Sequence, residues 1–441
     1  MTLQDFLTKY CISDLNGLVS CIKMYGKQLP VDCVYQAAEF LNPNRDLTAA
    51  FYTDTAICKK IMAELPDFDE KDHIRILEPS VGAGNFLPFI AERYKTKRIL
   101  ELYLIDIDDN ELKIAELIFE TFFRDKYSNV AIIYINDDYL KFPVSGKKFD
   151  LVIGNPPYAK IKDYNLQREY RKNSKITKSS NLFVWFLEKA YHDGDWISLI
   201  VPKSILNAPE YDEIREIIKN SHIKSILDFG ENGFKGVKIE TVNLIFNSQE
   251  KSDLTHVVSI TQKIDIVQQQ EYITDNNYPS WLIYRNSDFD RIAEGMQLGV
   301  FDAFRDRQIV NSMLSQTGKY RVLKSRNIGS NSIVDIAGYD SYISDINNLA
   351  VSRYINVENV VLVPNLSYAP RACFLPKNTI ANGSVAFLTL KNKGIALSET
   401  DLDFFATREF RLYYRIARNY GTRSLNIDNN SVFYSGIRRK K

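Results

Sequence analysis

Between residues 74 and 246, short apolar, β-branched runs alternate with helical patterns, and this alternation limits the fold more than any other feature. The runs are Ile74–Pro79, Ile99–Asp106, Asn129–Asn136, Phe149–Asn155, Asp195–Pro202, Ile223–Gly230 and Thr241–Phe246. Helical patterns lie between them at Asn85–Tyr94, Asn110–Asp125, Asn181–Asp193 and Tyr211–Ser221, and one precedes the first run at Asp54–Leu65. Strands buried on both faces read as continuous apolar runs, and strands separated by helices pair in parallel. The pattern predicts an α/β fold with a mostly parallel, doubly wound sheet covered by helices on both faces. About ten residues separate the last two runs, too few for a helical crossover, so the final strand is expected to be antiparallel.

After about residue 250 the alternation stops. At 441 residues the chain is long enough for two or three domains. The expected organisation is an N-terminal helical extension over 1–48, an α/β domain over 49–250, a linker over 251–280, and a separate α+β domain over 281–441. Residues 281–441 hold 22 lysines and arginines against 14 acids, a net +8, whereas residues 1–280 hold 34 against 41, a net −7. The overall +1 therefore joins an acidic part to a basic part suited to a polyanion. No apolar run approaches the ~18–20 residues of a membrane-spanning helix, and the first ten residues lack the charged and apolar regions of a signal peptide. A cytoplasmic location is expected. The five cysteines are scattered and the four histidines show no metal-ligand spacing, so neither a disulfide framework nor a metal site is expected.

Four motifs carry the chemistry, each at the end of a strand run. Leu77-Glu78-Pro79-Ser80-Val81-Gly82-Ala83-Gly84-Asn85 follows the first run and opens a helix. Its glycines allow a tight turn and a close approach of backbone to ligand. It lacks both the third glycine of the dinucleotide fingerprint and a Walker lysine, which favours a smaller adenosine ligand. Asp106 ends the second run just over 20 residues later, where a carboxylate can accept from both ribose hydroxyls. Asp138, after the third run, can accept from an adenine amino group. The fourth run ends in Asn155-Pro156-Pro157-Tyr158. Asn155 and Pro156 both precede prolines, and both prolines have a fixed φ, so the turn is stiff. Ligands of doubly wound sheets bind beyond the carboxyl ends of the strands, which brings this turn beside the glycine loop.

These motifs, in this order, resemble the S-adenosylmethionine-dependent amino-methyltransferases, and among them the gamma-class N6-adenine DNA methyltransferases of restriction–modification systems. The resemblance covers roughly residues 48–247 and includes Phe51-Tyr52-Thr53 ahead of the glycine loop, with Asp54 where the family has proline. It implies a Rossmann-like methyltransferase domain over 49–250 and a target-recognition domain over 281–441. The cofactor would be held by Tyr52, Thr53, Glu78, Pro79, Gly82, Gly84, Asp106 and Asp138. Asn155 and the Pro156 carbonyl, stiffened by Pro157, would bind the target amino group, and Tyr158 would stack on the target base. Phe234, in Gly233-Phe234-Lys235-Gly236, sits where the family has a second stacking aromatic.

The resemblance implies double-stranded DNA as substrate and a cognate restriction endonuclease as functional partner, with no metal required. Lys160, Lys162, Arg168, Arg171 and Lys172 follow the catalytic motif within a stretch running to Lys178, expected as a mobile loop that meets phosphate. In the basic domain Arg321, Lys324, Arg326 and Arg423 are candidates for phosphate or base contacts. Two other readings remain open: an amino-methyltransferase acting on a protein glutamine or on RNA, and a DNA-binding module without catalysis. The segment Pro66-Asp67-Phe68-Asp69-Glu70-Lys71 only superficially resembles a nuclease motif, because its acids are too close together to sit on two strands around a metal. With two domains occupying most of the chain, no separate nuclease domain is expected.

Overall fold

The computed structural model describes residues 1–43, 53–144, 146–232, 239–365, 369–392, 394–422 and 426–439. They form two compact units, 1–205 with 210–271 and 206–209 with 272–441.

The first unit is built on a nine-stranded sheet in the order β3-β2-β1-β4-β5-β7-β6-β8-β9. The strands are β1 (His73–Glu78), β2 (Ile99–Asp106), β3 (Val130–Asn136), β4 (Phe149–Gly154), β5 (Gly194–Pro202), β6 (His222–Gly230), β7 (Thr241–Asn247), β8 (Leu254–Ser259) and β9 (Ile264–Gln269). All seven strands expected from the apolar runs are present, and β1 to β5 pair in parallel. β7 runs antiparallel to both β5 and β6, wedged between them. The helices between the strands lie where the periodicity puts them: Leu87–Arg93, Asp109–Phe122, Leu182–Asp193 and Asp212–Ile218. Asp54 is the N-cap of helix Thr55–Glu64, its side chain accepting from the Ala56 N–H, which gives this non-proline residue a local purpose.

The segment 251–280, expected as a linker, instead supplies β8 and β9, and the first unit ends at Glu271. β8 pairs parallel to β6, and β9 returns antiparallel as the sheet edge. β9 is mostly exposed and mixes Asp265, Gln268 and Gln269 with its aliphatics, so it lacks the continuous apolar run of a buried strand. The N-terminal helices Leu3–Lys9, Leu15–Tyr25 and Val31–Leu41 form no separate body. They share a core with Ala83 and with Ile114 and Ile118 of helix Asp109–Phe122.

The sheet order reverses between β1 and β4: from β1 the chain first adds strands on one side, and from β4 on the other. That reversal opens a crevice at the carboxyl ends of these two strands.

The second unit is α+β. It contains a four-stranded sheet, β10 (Phe301–Arg305), β16 (Val385–Leu390), β13 (Val361–Pro364) and β14 (Cys373–Phe374), and a three-stranded one, β12 (Ser341–Ile343), β11 (Tyr320–Leu323) and β15 (Thr379–Ala381). Val322, Leu362, Ile380 and Phe387 are among the residues of a core shared by both sheets.

Candidate cofactor and catalytic site

The loop after β1 forms one wall of the crevice. Gly82 and Gly84 take φ of +52° and +82°, a region that L side chains avoid. A Cβ at Gly84 would lie 2.8 Å from Leu87 Cδ1 and 3.2 Å from Ala115 Cβ, so the second glycine also lets the loop pack on helix Asp109–Phe122. Asp106, at the end of β2, braces the turn. Its Oδ2 accepts the Gly82 N–H at 2.9 Å and its Oδ1 accepts the Asp108 N–H at 2.9 Å. Burial pushes its carboxyl above the usual range, partly opposed by these N–H donors.

Glu78 ends β1 and is only 2% exposed. Burial, then repulsion from Asp106, raises its carboxyl well above the ordinary value. Its Oε2 has no hydrogen-bond partner among the described residues. A buried carboxylate without a partner is costly, and the cost falls when a ligand brings a donor. Asp138, past β3, accepts the Leu140 N–H with Oδ1 at 3.0 Å and the Tyr170 hydroxyl with Oδ2 at 2.7 Å.

The other wall is the turn after β4. A Cβ on Gly154 would touch Pro79 Cδ at 3.4 Å, which shows how closely the two strand ends approach. Ser80 Oγ donates to the Asn155 backbone carbonyl at 3.2 Å. Tyr158 Oη donates to Asn155 Oδ1 at 2.8 Å and lies 3.2 Å from the Ile200 carbonyl on β5. Its ring meets Phe183 edge-on, centroids 6.1 Å apart, and burial holds the phenol well above its ordinary pKa. The Asn155-Pro156-Pro157-Tyr158 turn is thus a clamped unit: the phenol fixes the carbonyl end of the Asn155 side chain.

These walls enclose a cavity of about 320 Å³. Of the residues expected to hold cofactor or substrate, Thr53, Glu78, Pro79, Gly82, Asp106, Asp138, Asn155 and Pro157 line it. Gly84, Pro156 and Tyr158 are not among the residues that line it. Tyr52, Phe234 and Arg423 lie outside the described residues. The volume is within the usual range for small-molecule sites.

Residues 91–234 match the Eco57I restriction-modification methylase family. The chain is similar to the modification methylase CviBIII of Paramecium bursaria Chlorella virus NC1A, 31% identical over 186 residues, which cover 40% of this chain and 44% of that protein. It is also similar to the type II methyltransferase M.BsuBI of Bacillus subtilis, 24% identical over 269 residues, 56% of this chain and 52% of the relative. The chain spans about half the length of the curated relatives it matches. Its fold resembles the type IIL restriction-modification enzyme MmeI in complex with DNA (TM-score 0.53, 12% identity, 96% of this chain and 67% of that one). It resembles the DrdV–DNA complex similarly (TM-score 0.52, 11% identity, 96% and 59%). The earlier resemblance to restriction–modification methyltransferases thus holds, as does the α/β methyltransferase fold with an additional C-terminal part.

S-adenosylmethionine is the cofactor of this methylase family, and the cavity suits it. By their chemistry Glu78, with its Oε2 lacking a partner among the described residues, could hold an ammonium group, Asp106 ribose hydroxyls and Asp138 an adenine amino group. Ile107, 68% exposed and lining the cavity, offers an apolar surface for a base.

Several methylase-cavity residues escaped the sequence reading. Glu111 is buried, accepts from Asn42 Nδ2, and has its carboxyl pushed up to about 8 by burial and then by Asp106 and Asp108. It hides in Asp108-Asp109-Asn110-Glu111, which reads as an ordinary acidic helix start. Ile161, Leu166 and Tyr170 also line the cavity, from the stretch expected as a mobile basic loop. That stretch instead folds into helix Tyr164–Tyr170 and a short 3₁₀ turn, capped by Asp163.

The basic side chains divide into engaged and exposed ones. Lys160 pairs with Glu210 at 3.0 Å, and Arg171 donates to the Ser179 carbonyl at 3.3 Å. Lys162, Arg168 and Lys172 are exposed. In the second unit Arg321 is held between Asp335 (2.6 Å) and Asp340 (2.8 Å), so it stitches its own domain. Lys324 donates to Ser341 Oγ at 2.9 Å and its Nζ lies 4.0 Å from the Tyr339 ring centroid. Arg326 lies 4.9 Å from the same ring and is exposed. No helix among the described residues is long and apolar enough to cross a membrane.

Proposed function

We propose that this chain is a site-specific DNA methyltransferase that places a methyl group on N6 of an adenine flipped out of the duplex, and that it protects DNA alongside a cognate endonuclease. The observation that carries the reading is the Asn155-Pro156-Pro157-Tyr158 turn, which leaves β4 at the wall of the cofactor cavity with its asparagine side chain clamped. The match to the restriction-modification methylase family and the fold shared with DNA-bound enzymes support it.

The cofactor, when bound, supplies an electrophilic sulfonium methyl. Adenine's exocyclic nitrogen is a weak nucleophile because its lone pair is delocalised into the ring. An amide oxygen has two acceptor sites, and Asn155 Oδ1 uses one of them for the Tyr158 hydroxyl. Asn155 Oδ1 and the Pro156 carbonyl would bind the two amino hydrogens, favouring a pyramidal nitrogen whose lone pair attacks the methyl as its bond to sulfur breaks; S-adenosylhomocysteine leaves and the nitrogen loses one of its protons. This is preorganised electrostatics plus positioning. Extrusion of the base costs a few kcal/mol, which stacking on Tyr158 would partly offset. Among the basic residues expected to meet DNA, Lys162, Arg168 and Lys172 in the first unit and Arg326 in the second are exposed and would be available to phosphate.

The test is incubation with methyl-labelled S-adenosylmethionine and duplex DNA, followed by digestion to nucleosides. Label in N6-methyldeoxyadenosine is expected. Label in N4-methyldeoxycytidine would reassign the base. Label only in protein glutamine or RNA would overturn the DNA reading.

A further inference from the structure

Residues 159–181 join the catalytic turn to helix Leu182–Asp193, and they face two ways. Ile161, Leu166 and Tyr170 line the cofactor cavity, whereas Lys162, Arg168 and Lys172 are exposed. No residue of helix Tyr164–Tyr170 is buried, so the helix depends on its two ends. At the first end Asp163 Oδ1 accepts the N–H groups of Asn165 and Leu166 at 2.7 and 3.2 Å. At the other, Tyr170 Oη donates to Asp138 Oδ2 at 2.7 Å, and its ring packs on Trp185, centroids 5.6 Å apart. Lys141 pairs with Glu169 at 3.0 Å beside it.

Asp138 is therefore a shared post. Each carboxylate oxygen has two acceptor sites, so Asp138 can keep the Leu140 N–H and the Tyr170 hydroxyl and still accept an amino group from a ligand. A ligand filling the cavity also covers Ile161 and Leu166. Ligand and segment then stabilise one another, because each binds only the arrangement that the other favours.

We propose that Tyr170 is a positioning residue: through Asp138 it ties the exposed cations of residues 162–172 to the cofactor cavity, so that binding cofactor fixes the segment that faces DNA. This rests on the reading of the cavity as a methyl-donor site and deepens it with a coupling between the two substrates. Tyr170→Phe removes the hydroxyl and leaves the ring on Trp185.

The test is limited trypsin digestion of the full chain, with cleavage after Lys162, Arg168 and Lys172 followed by mass spectrometry, with and without saturating S-adenosylhomocysteine. Calorimetry measures binding of the same compound. In the wild type the compound should slow cleavage in the segment about tenfold, a typical coupling between sites. In Tyr170→Phe that ratio should fall to within about twofold of one, while calorimetry still shows the compound bound, its affinity lowered by no more than the about tenfold coupling itself. Tyr164→Phe, which alters a 74% exposed ring on the same helix, should keep the wild-type ratio. A general loosening would raise cleavage in both states and leave the ratio unchanged, and an unchanged ratio overturns the proposal. So does a wild-type cleavage rate indifferent to a compound that calorimetry shows to be bound. Absence of any calorimetric binding would instead remove the cofactor site itself, a distinguishable failure.

Discussion

Replacing Glu111 with glutamine should flatten the pH dependence of the first unit's stability. The Glu111 carboxyl is pushed from an ordinary 4.5 up to about 8, first by burial and then by Asp106 and Asp108. The unfolded chain gives up this proton near 4.5, whereas the folded chain keeps it to about 8. Between those values the folded state binds more protons, so its stability falls as pH rises; below the window nothing is lost, and above it the loss is complete. Each pH unit corresponds to about 1.4 kcal/mol, which sets a ceiling of about 4–5 kcal/mol across the window. Relaxation and water entry around a charged buried acid bring the realistic figure to about half of that. Glutamine has nearly the same shape and still offers Asn42 an acceptor. Wild type and variant should therefore unfold together near pH 5 and diverge toward pH 9, with the variant more stable there by about 2 kcal/mol. At a few degrees per kcal/mol for a domain of this size, the melting temperatures should differ by about 5 °C. Glu78 and Asp106 titrate in both proteins, so the difference between the two curves reports on Glu111 and its coupling to them. The assay is thermal unfolding followed by circular dichroism across this pH range. Parallel curves would refute the assignment of Glu111 as a buried, proton-retaining acid.

Three further outcomes are expected. Asn155→Ala should lower methyl transfer at least ~10³-fold, the scale of losing an oriented acceptor in a preorganised site. Its affinity for S-adenosylhomocysteine by calorimetry should stay near wild type; a large loss would place the side chain in cofactor binding instead. Lys203→Met should destabilise the first unit by about 3–5 kcal/mol in thermal unfolding, because it removes the Lys203 ammonium from Asp228, which is fully buried, accepts from Lys203 Nζ at 2.6 Å and also takes the Gly230 N–H. Lys203→Met/Asp228→Asn should recover much of that loss, and no recovery would argue against loss of the ion pair as the cause. Arg326→Ala should weaken binding to duplex DNA and reduce the salt slope of log K by about one, read by fluorescence anisotropy. An unchanged slope would exclude Arg326 from phosphate contact.

The seven core strands were legible because each reads as an apolar, β-branched run: β4, β5, β6 and β7 are largely buried, whereas β3, at the sheet edge and mostly not buried, shows through Ile132, Ile133 and Ile135. β8 and β9 were not, because a sheet-edge hairpin buries one face at most and its sequence looks like linker. The motifs at the ends of β1, β2, β3 and β4 were legible for a related reason: special backbone demands select glycine and proline, and strand ends select acids. Residues that meet the cavity from helices carry no such mark. Glu111 looks like helix-start chemistry, and Tyr170 looks like a spacer among lysines and arginines. Charge was legible as a composition but not as an availability. Arg321 and Arg326 lie five residues apart in one basic stretch, yet the first is locked between Asp335 and Asp340 while the second is exposed. Which of two neighbouring cations is already neutralised depends on acids brought near by folding.

The wedging of β7 between β5 and β6 has a consequence for how the chain is made. During synthesis both flanking strands emerge before their shared partner, so a nascent chain that stops short of residue 241 carries two unsatisfied strand edges side by side. Open edges of this kind invite pairing with other chains. The seven residues Thr241–Asn247 then close both at once, pairing with β5 along its length and with β6 on the other side. Ribosome-released fragments ending near residue 235 should aggregate, and fragments ending after residue 271, where the first unit is complete, should remain in solution. A late strand thus joins two earlier ones, and β8 and β9 complete the sheet after it.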